Sequence, residues 1–450
     1  MQLFVRDKPF YRQLFLILVP VAVQNLINVM VSLLDTLMIG QLGEIQLSAT
    51  SIANQLWFLL MIVCFGISGG ANVLIAQYWG KQDVEVIRRV EAMTFKVCFT
   101  VSVVFGLIAL FLPRQFMSIF TTDTAVIEYG VQYLQIIGFS YPFYALANVE
   151  IMMLRSVGTV NISVLVYLVS LIVNASLNYI LIFGKLGFPA LGIRGGAAAT
   201  GIARLFEFGV TFGFAFFYED KIHFSLRDLL PSNRDLYRKY ITLSLPVIGN
   251  EMTWGLGSSM VAVVIGRMGT SFVAANSIFS VLNQLVSVVI FGASNAALTL
   301  VGNTIGAGEY EKAKQRSVTL YVIAILLGLV SFATTLALGP VMLSFYKNLS
   351  PSTVDIYHML VIVGAVIVFF CALSNVGMVG ILRAGGDATF VFFADVAFLW
   401  LVAVPLGFLG LVLHWSAALV YVCLRIDEVI KVVVSTVRIF RFRWLRDVTK

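Results

Sequence analysis

Charged residues are scarce in this chain of 450 residues. Only 12% of the residues are charged, whereas about a quarter are charged in a typical soluble domain. Hydrophobic residues make up 60%, and the mean hydropathy is +0.95. This composition excludes an ordinary soluble protein and predicts a polytopic membrane protein with the lipid bilayer as its surroundings.

Histidine and cysteine are also few, and neither is arranged for chemistry. The histidines and cysteines are His223, His358, His414, Cys64, Cys98, Cys371 and Cys423. The histidines have no metal-ligand spacing, and the cysteines lie in apolar segments without paired spacing. No glycine-rich phosphate-binding loop is present either. We therefore expect no metal site, no disulfide framework, no cofactor and no enzymatic activity.

Long apolar runs account for most of the chain. About 20 apolar residues cross the hydrocarbon core as a helix, and by this criterion the chain forms about twelve transmembrane helices. The predicted spans are 13–38, 47–77, 92–112, 125–153, 161–183, 191–218, 240–266, 272–303, 316–340, 353–382, 388–411 and 414–440. The predicted fold class is therefore an all-α polytopic membrane protein.

Lysine and arginine are distributed unevenly between the two sides that these helices define. Most of the 30 residues fall in loops on the side of the N-terminus, where we also place Arg155, Arg383 and Lys431. The other side has Arg114, Lys185, Arg194, Arg267 and Lys347. Because cytoplasmic loops are enriched in Lys and Arg, we expect both termini to be cytoplasmic, in a cell (inner) membrane. The net charge of +7 is then a topology signal, and no nucleic-acid partner is expected.

The two halves of the sequence are repeats. Pro20 aligns with Pro246 at an offset of 226 residues (246 − 20), and the same offset pairs glycines without a gap. The glycine pairs are Gly40/Gly266, Gly43/Gly269, Gly66/Gly292 and Gly80/Gly306. Further along, FYALANV (143–149) matches FCALSNV (370–376), and LRSVG (154–158) matches LRAGG (382–386). Chance similarity between apolar helices would match Leu and Val rather than glycines and prolines in register.

The repeat predicts two six-helix lobes related by a pseudo-twofold axis along the membrane normal. We expect residues 1–218 to hold helices 1–6, and residues 219–239 to form a cytoplasmic linker. Residues 240–450 then hold helices 7–12 and a short basic cytoplasmic tail. Transporters built from such repeats bind substrate between them and work by alternating access.

A single acid, Asp35, interrupts the first apolar run, LFLILVPVAVQNLINVMVSLLDTLMIGQLG (14–43). A carboxylate at membrane depth costs about 2.5–3.5 kcal/mol, so it is a functional candidate. Asn174 and Asn178, an i, i+4 pair on one helix face, and Thr200 are expected at similar depth. These side chains form an all-oxygen set for a proton or a small hard cation. The alternatives are that Asp35 caps a loop and that the asparagines join helices by hydrogen bonds.

The second half carries a different acid, Glu251, in the helix that contains Pro246. At the repeat offset Glu251 pairs with Asn25, whereas Asp35 pairs with Val261. We predict that Glu251 also takes part in cation coupling. The alternative is a structural carboxyl that neighbouring helices hold by hydrogen bonds.

Two buried ion pairs are predicted to be architectural. Arg204 and Glu207 recur as Arg425 and Glu428, at an offset of 221 residues (425 − 204). Residues i, i+3 share a helix face and can neutralise each other. Three further acids in apolar runs are left without a role: Glu150, Asp395 and Asp427.

Aromatic, methionine and amide side chains provide candidates for a substrate cavity. Aromatic and methionine walls suit flat cations, through cation–π contacts and adaptable packing. The candidates are Met30, Trp57, Met252, Trp254, Asn283 and Gln284. The alternative for most of them is packing in the helix core or against lipid.

Several stretches resemble the multidrug and toxic compound extrusion (MATE) family of antiporters. They include LDTLMIGQLG (34–43), NASLNYILIFGKLGFPALGIRGGAAATGIAR (174–204), LPVIGNE (245–251) and GNTIGAGEYEKA (302–313). The resemblance extends over almost the whole chain. It implies two six-helix lobes that form a V, and export of drugs in exchange for protons or sodium.

The resemblance also implies roles for residues of the first half. Asp35 matches the first-helix acid of the family's cation site. Asn174 and Thr200 match the partners of that acid on the fifth and sixth helices. Asn178 departs from the pattern, because some members have aspartate there. Pro20 stands where the first helix of the family bends.

In the second half the resemblance is less complete. Glu251 matches the seventh-helix acid of sodium-linked members of the NorM-like branch. Those members also have an acid on helix ten, where this chain has Ser374 and Asn375.

From these observations we expect a monomeric secondary active transporter for multidrug efflux. It would export organic, mostly cationic amphipathic compounds in exchange for H⁺ or Na⁺, and oxygen ligands serve both ions. One alternative is a lipid-linked precursor flippase on a related scaffold, which would need unpaired Arg or Lys at membrane depth. The other alternative is a passive channel.

Overall fold

The structure is a computed structural model that describes residues 4–229, 234–346 and 349–449. Residues 230–233 of the predicted linker, and Lys347 and Lys450, lie outside the described residues. The helices of the first half are α1 (Lys8–Gly40), α2 (Glu44–Gly80), α3 (Val84–Phe111), α4 (Pro113–Phe120), α5 (Thr124–Ile137), α6 (Tyr141–Ser156), α7 (Asn161–Phe183) and α8 (Ile193–Phe217). A short 3₁₀ turn, Gly138–Ser140, joins α5 to α6.

The second half repeats this helical pattern with more irregular backbone. Its helices are α9 (Arg234–Gly266), α10 (Thr270–Gly306), α11 (Tyr310–Ser344), α12 (Pro351–Ser374), α13 (Ala388–Phe398), α14 (Val404–Val412), α15 (Ala417–Cys423) and α16 (Ile426–Phe440). Ten helical segments of the described chain are long and apolar enough to cross a membrane. The predicted all-α polytopic fold class is confirmed.

The last predicted span, 414–440, is divided into α15 and α16. Arg425 stands at the break, with φ −122° and ψ 6°, outside the helical region. The short helix α4 was not predicted either, and it begins at Pro113, a residue suited to a first helical turn. Hydropathy reports the length of an apolar run, but it does not report such local breaks.

The helix bounds of the two halves repeat at the predicted offset. Helices α1 and α9 both contain 33 residues, and α2 and α10 both contain 37. Each bound of α9 lies 226 residues after that of α1 (234 against 8, and 266 against 40). The bounds of α10 follow those of α2 by the same 226 (270 against 44, and 306 against 80). The internal repeat therefore extends from residue types to helix boundaries.

The chain divides into two compact units. The first unit consists of Val23–Asn72 and Val84–Tyr240, and the second unit consists of Met1–Ala22, Val73–Asp83 and Ile241–Lys450. Helices α1 and α2 each contribute to both units. The repeat predicts lobes of residues 1–218 and 240–450. In the structure, residues 1–22 and 73–83 belong instead to the unit that contains the second half. The division into these lobes stays a prediction.

Within the second unit, the ends of α2 and α10 approach closely through repeat-related glycines. A Cβ on Gly306 would overlap the carbonyl oxygen of Gln77, and one on Gly80 would overlap the carbonyl oxygen of Asn303. The two backbones therefore touch where only glycine fits. Small residues that allow such an approach are typical of helix packing in membranes.

Two π-helical segments interrupt the helices of the second unit. Asn375–Leu382 continues α12, and Leu399–Ala403 joins α13 to α14. Segments of this kind are rare and are frequently found at functional sites. They place the most irregular helical backbone of the second unit in α12 to α14.

Candidate functional site

The first unit brings all four residues of the predicted cation site together. Asn178 Nδ2 donates to Asp35 Oδ1, and it also donates to Asn174 Oδ1 at 3.0 Å. Asn174 Nδ2 in turn donates to Thr200 Oγ1 at 3.2 Å. Helices α1, α7 and α8 thus meet through one chain of hydrogen bonds.

This cluster is largely withdrawn from solvent. Asn174 and Asn178 are each 1% exposed, and Asp35 is partly exposed. Helix α1 continues beyond Asp35 to Gly40, so the carboxylate does not cap a loop. Among the described residues, Asn178 Oδ1 is buried without a hydrogen-bond partner. The cluster therefore offers carboxylate, amide and hydroxyl oxygens, which are suitable ligands for a proton or a hard cation.

The predicted ion pair between Arg204 and Glu207 is present in the first unit. Arg204 Nη1 lies 3.1 Å from Glu207 Oε1 and 2.9 Å from Oε2. Ser170 Oγ donates to Glu207 Oε1 at 2.6 Å. The guanidinium carbon lies 4.6 Å from the ring centroid of Tyr144 and 5.8 Å from that of Trp57. Both charges are thus compensated inside an aromatic surround.

In the second unit, Glu251 is held by an arginine. Arg383 Nη1 donates to Glu251 Oε1 at 3.0 Å, and Nη2 of the same guanidinium donates to Asn250 Oδ1. Asn250 Nδ2 then donates to Asp395 Oδ2. These contacts agree with the structural alternative for Glu251, and its part in cation coupling stays a prediction.

The chain of contacts continues from Asp395 to a buried lysine. Lys431 Nζ lies 2.8 Å from Asp395 Oδ1, 2.8 Å from Asp427 Oδ2 and 3.5 Å from Glu428 Oε1. Ser374 Oγ donates to Glu428 Oε2. We refer to these residues together as the second-unit network: Asn250, Glu251, Ser374, Arg383, Asp395, Asp427, Glu428 and Lys431.

Both halves of the chain match one protein family. The MatE family profile matches residues 20–180 and 246–409. The chain belongs to the MATE family. The two matched segments begin at the repeat-related residues Pro20 and Pro246, and each covers most of one repeat. MATE proteins are transporters, and the apolar helices agree with a multi-pass membrane protein.

Individual MATE relatives are similar along nearly their whole length. "Uncharacterized transporter YisQ" of Bacillus subtilis is 24% identical over 431 residues, which cover 94% of this chain and 92% of that protein. "Probable multidrug resistance protein NorM" of Thermotoga maritima is 24% identical over 428 residues, which cover 92% and 90%. A solved MATE structure in complex with MaL6 has a TM-score of 0.86 at 17% identity, and the match covers 97% of this chain and 98% of that chain. At that identity the structural likeness supports the fold alone.

The second predicted ion pair of this MATE chain is not formed. Within the described chain, Arg425 and Glu428 make no ion pair, and Glu428 lies beside Lys431 instead. The reason is the break between α15 and α16. Because Arg425 precedes α16 in a non-helical conformation, the i, i+3 relationship to Glu428 does not hold.

Three basic residues that the charge pattern placed in cytoplasmic loops lie buried in helices. Arg155 and Arg383 are each 5% exposed, and Lys431 is 4% exposed. Arg155 Nη2 donates to Gln24 Oε1 at 2.8 Å. The placement was wrong because a count of Lys and Arg does not distinguish a loop residue from one that is paired between helices.

The sequence carried one indication of the lysine cluster. Asp427 and Lys431 are four residues apart in an apolar run, a spacing that joins opposite charges on a helix. Asp395 had no such indication, because its partners Asn250 and Lys431 are distant in sequence. The roles of Asp395 and Asp427 in the network therefore emerged only from the fold.

A pair of acids in the first unit also escaped prediction. The carboxyl groups of Glu91 in α3 and Glu150 in α6 interact with each other. Glu91 is fully buried, and Glu150 is 2% exposed. Among the described residues neither oxygen of Glu91 has a hydrogen-bond donor. Two carboxyl groups thus share one apolar environment.

The six candidates for a substrate cavity lie in different surroundings. Trp57 packs against Tyr144 and Arg204 in the first unit. The other five are partly or largely exposed in their own units: Met30, Met252, Trp254, Asn283 and Gln284. Their assignment to one substrate cavity stays a prediction.

Proposed function

We propose that this MATE protein is a secondary active exporter of organic, mostly cationic amphipathic compounds, driven by exchange for H⁺ or Na⁺. The observation that carries the proposal is the hydrogen-bonded cluster of Asp35, Asn174, Asn178 and Thr200 in apolar helices. Uptake of a proton or cation by Asp35 changes the charge of this cluster. A ligand that binds one conformation better than another shifts the population between them.

The membrane supplies enough energy for such an exchange. A tenfold gradient of the coupling ion supplies about 1.4 kcal/mol, and each net charge that the exchange moves across the membrane adds about 2.3 kcal/mol per 100 mV. Alternating access then connects the gradient to the substrate. In this scheme Pro20 allows α1 to bend, since proline removes one hydrogen bond of the helix.

The proposal also includes the oligomeric state, the membrane and the orientation of the protein. The protein works as a monomer in the cell (inner) membrane, with both termini in the cytoplasm, and binds no cofactor apart from the coupling ion. Export of drug-like compounds is supported by the names of two relatives. YisQ is named as a transporter, and NorM as a probable multidrug resistance protein.

Reconstituted transport tests the proposal. Proteoliposomes are loaded with a cationic dye, and a pH gradient or a sodium gradient is imposed separately. We expect one gradient to drive dye movement in the wild type and Asp35→Asn to abolish it. Asp355→Asn, at an exposed position of α12, is the matched control and should behave as wild type. If neither gradient moves dye, or if Asp35→Asn has no effect, the proposal is refuted.

The pairing of three buried cations supports an exporter over a lipid-linked precursor flippase. A flippase cavity needs cationic groups that are free to bind pyrophosphate. Arg204, Arg383 and Lys431 are instead paired with carboxylates at 2.8–3.0 Å. Transfer of a fluorescent lipid pyrophosphate across the same proteoliposomes would favour the flippase.

A further inference from the structure

The ammonium group of Lys431 is surrounded by three carboxylates. Its Nζ lies 2.8 Å from Asp395, 2.8 Å from Asp427 and 3.5 Å from Glu428. A protonated primary amine has three N–H donors and no acceptor. Three carboxylates around one nitrogen therefore match the bonding capacity of a primary ammonium group.

The carboxylates are also held by neutral donors that do not depend on the lysine. Asn250 donates to Asp395, and Ser374 donates to Glu428. These amide and hydroxyl contacts fix the directions of two of the three acids. The arrangement thus has the character of a preformed site, with the lysine as its occupant.

The charges around this site do not balance. The second-unit network contains four carboxylates, Glu251, Asp395, Asp427 and Glu428, and two cations, Arg383 and Lys431. Arg425 interacts electrostatically with Asp427 and Glu428 and raises the number of cations to three. One carboxylate remains in excess in an apolar environment, where uncompensated charge is costly. The network therefore favours additional positive charge.

The backbone around the network is irregular on three sides. The π segment Asn375–Leu382 follows Ser374 and ends beside Arg383, and the π segment Leu399–Ala403 follows the helix that carries Asp395. The break at Arg425 precedes Asp427 and Glu428. Regular α-helices need no such distortion for packing, and π segments are concentrated at functional sites.

We propose that Asp395, Asp427 and Glu428 form a binding site for the primary ammonium group of a transported compound, which Lys431 occupies in the absence of that compound. Access is through Asp395 and Glu428, whose side chains are 17% and 14% exposed, whereas those of Asp427 and Lys431 are each 5% exposed. The identification of the ligand as a transported compound rests on the proposed export function; the site itself does not.

The geometry selects primary ammonium over other cations. A quaternary ammonium has no N–H group and cannot donate to Asp395 and Asp427, which lie 2.8 Å from Lys431 Nζ. Hard metal cations commonly take six or more oxygen ligands, and the described residues contain no group of three acids, histidines or cysteines arranged for a metal. The site therefore distinguishes between cations by the number of their N–H donors as well as by their charge.

Binding to the purified full-length protein in detergent tests the proposal without any gradient. Calorimetry compares butylammonium with butyltrimethylammonium. The key variant combines Lys431→Met with Asp427→Asn, which empties the site and removes one charge of each sign. We expect it to bind butylammonium at least about tenfold more tightly than wild type, with butyltrimethylammonium unchanged. Lys431→Arg should show no gain, and Asp395→Asn added to the double variant should abolish the gain.

A surface lysine supplies the matched control. Lys312, which pairs with Glu309 at 2.6 Å, has a side chain that is 62% exposed, and Lys312→Met should bind both amines as wild type does. In the wild-type protein, saturating butylammonium should also release Lys431. A membrane-permeant amine reagent should then modify Lys431 several-fold faster, as measured by mass spectrometry, than it does with butyltrimethylammonium.

Equal gains for both amines in the double variant would overturn the proposal, because the site would then recognise charge alone. No change in Lys431 reactivity with butylammonium would overturn it as well, even if the double variant failed to fold. These measurements use no gradient, so a negative result would not contradict the proposal that the protein exports dye in proteoliposomes. Failure of dye export would, conversely, leave the binding result valid.

Discussion

The contact between Arg383 and Asn250 in the second half repeats the contact between Arg155 and Gln24 in the first half. In the first unit Arg155 Nη2 donates to Gln24 Oε1 at 2.8 Å, and in the second unit Arg383 Nη2 donates to Asn250 Oδ1. Asn250 follows Gln24 by the repeat offset of 226. The second half differs by the acid Glu251, which gives its arginine a carboxylate partner at 3.0 Å. Both halves thus keep a buried arginine–amide contact, and the second half adds charge to it.

The two hydrogen bonds of Asn178 make it the central residue of the Asp35 cluster. Asn178→Ala removes the contacts to both Asp35 and Asn174, whereas Thr200→Val removes only one. At about 1 kcal/mol for each hydrogen bond, we expect Asn178→Ala to slow gradient-driven exchange at least about tenfold and Thr200→Val about fivefold. Initial rates of dye transport in proteoliposomes measure both. A larger effect of Thr200→Val would contradict this order.

The ion pair of Arg204 and Glu207 should be more sensitive to loss of one partner than to loss of both. Glu207→Gln leaves a buried guanidinium without its counter-charge, and we expect a loss of about 3–5 kcal/mol in stability. Arg204→Met combined with Glu207→Met removes both charges and should unfold near the wild-type temperature. Thermal unfolding in detergent measures both variants, with Ser170→Ala as a smaller perturbation of the same site. Equal destabilisation by the single and the double change would show that the pair is not coupled.

Replacing one acid of the buried pair Glu91 and Glu150 with an amide should make the protein more stable. Glu91→Gln replaces one of two buried carboxyl groups with an amide that can donate a hydrogen bond to Glu150. We expect the apparent Tm to rise, by an amount that corresponds to about 1 kcal/mol. Glu91→Leu provides no donor and is the comparison. A lower Tm for Glu91→Gln than for wild type would indicate that the native pair holds a group that the amide displaces.

The glycines at the contact between α2 and α10 should tolerate no side chain. Gly306→Ala places a methyl group against the carbonyl oxygen of Gln77, so the helices must separate, at a cost of about 3 kcal/mol or more. Gly213 in α8 has no neighbouring atom within 4 Å of the added Cβ, and Gly213→Ala should be neutral or slightly stabilising. Thermal unfolding of the two variants provides the check. Unchanged Tm values for both would show that the two backbones are not in contact.

The fold and the first-unit cluster were largely predictable from the sequence. Apolar length gives the helices, and the acid Asp35 is conspicuous in an apolar run. Asn174 and Asn178 are local to each other, so that their shared face follows from helical spacing. These signals are all short-range or compositional, and a sequence displays them directly.

The second-unit network was not predictable by the same reasoning. Glu251 was found from its position in an apolar helix, but its partner Arg383 is far along the chain and was assigned to a loop. Lys431 was assigned to a loop for the same reason. Its three acids come from two different segments, and only tertiary packing brings Asp395 to Asp427. Long-range pairing of opposite charges leaves no periodic pattern in a sequence.

The π-helical segment Asn375–Leu382 marks a one-residue insertion between the duplicated halves. The motif residues Asn148 and Leu154 are six positions apart, whereas their counterparts Asn375 and Leu382 are seven apart. In a regular α-helix, one additional residue would turn the chain that follows by about 100° around the helix axis. The wider π turn accommodates the residue locally, so Arg383 keeps the contact with Asn250 that Arg155 makes with Gln24 in the shorter first half.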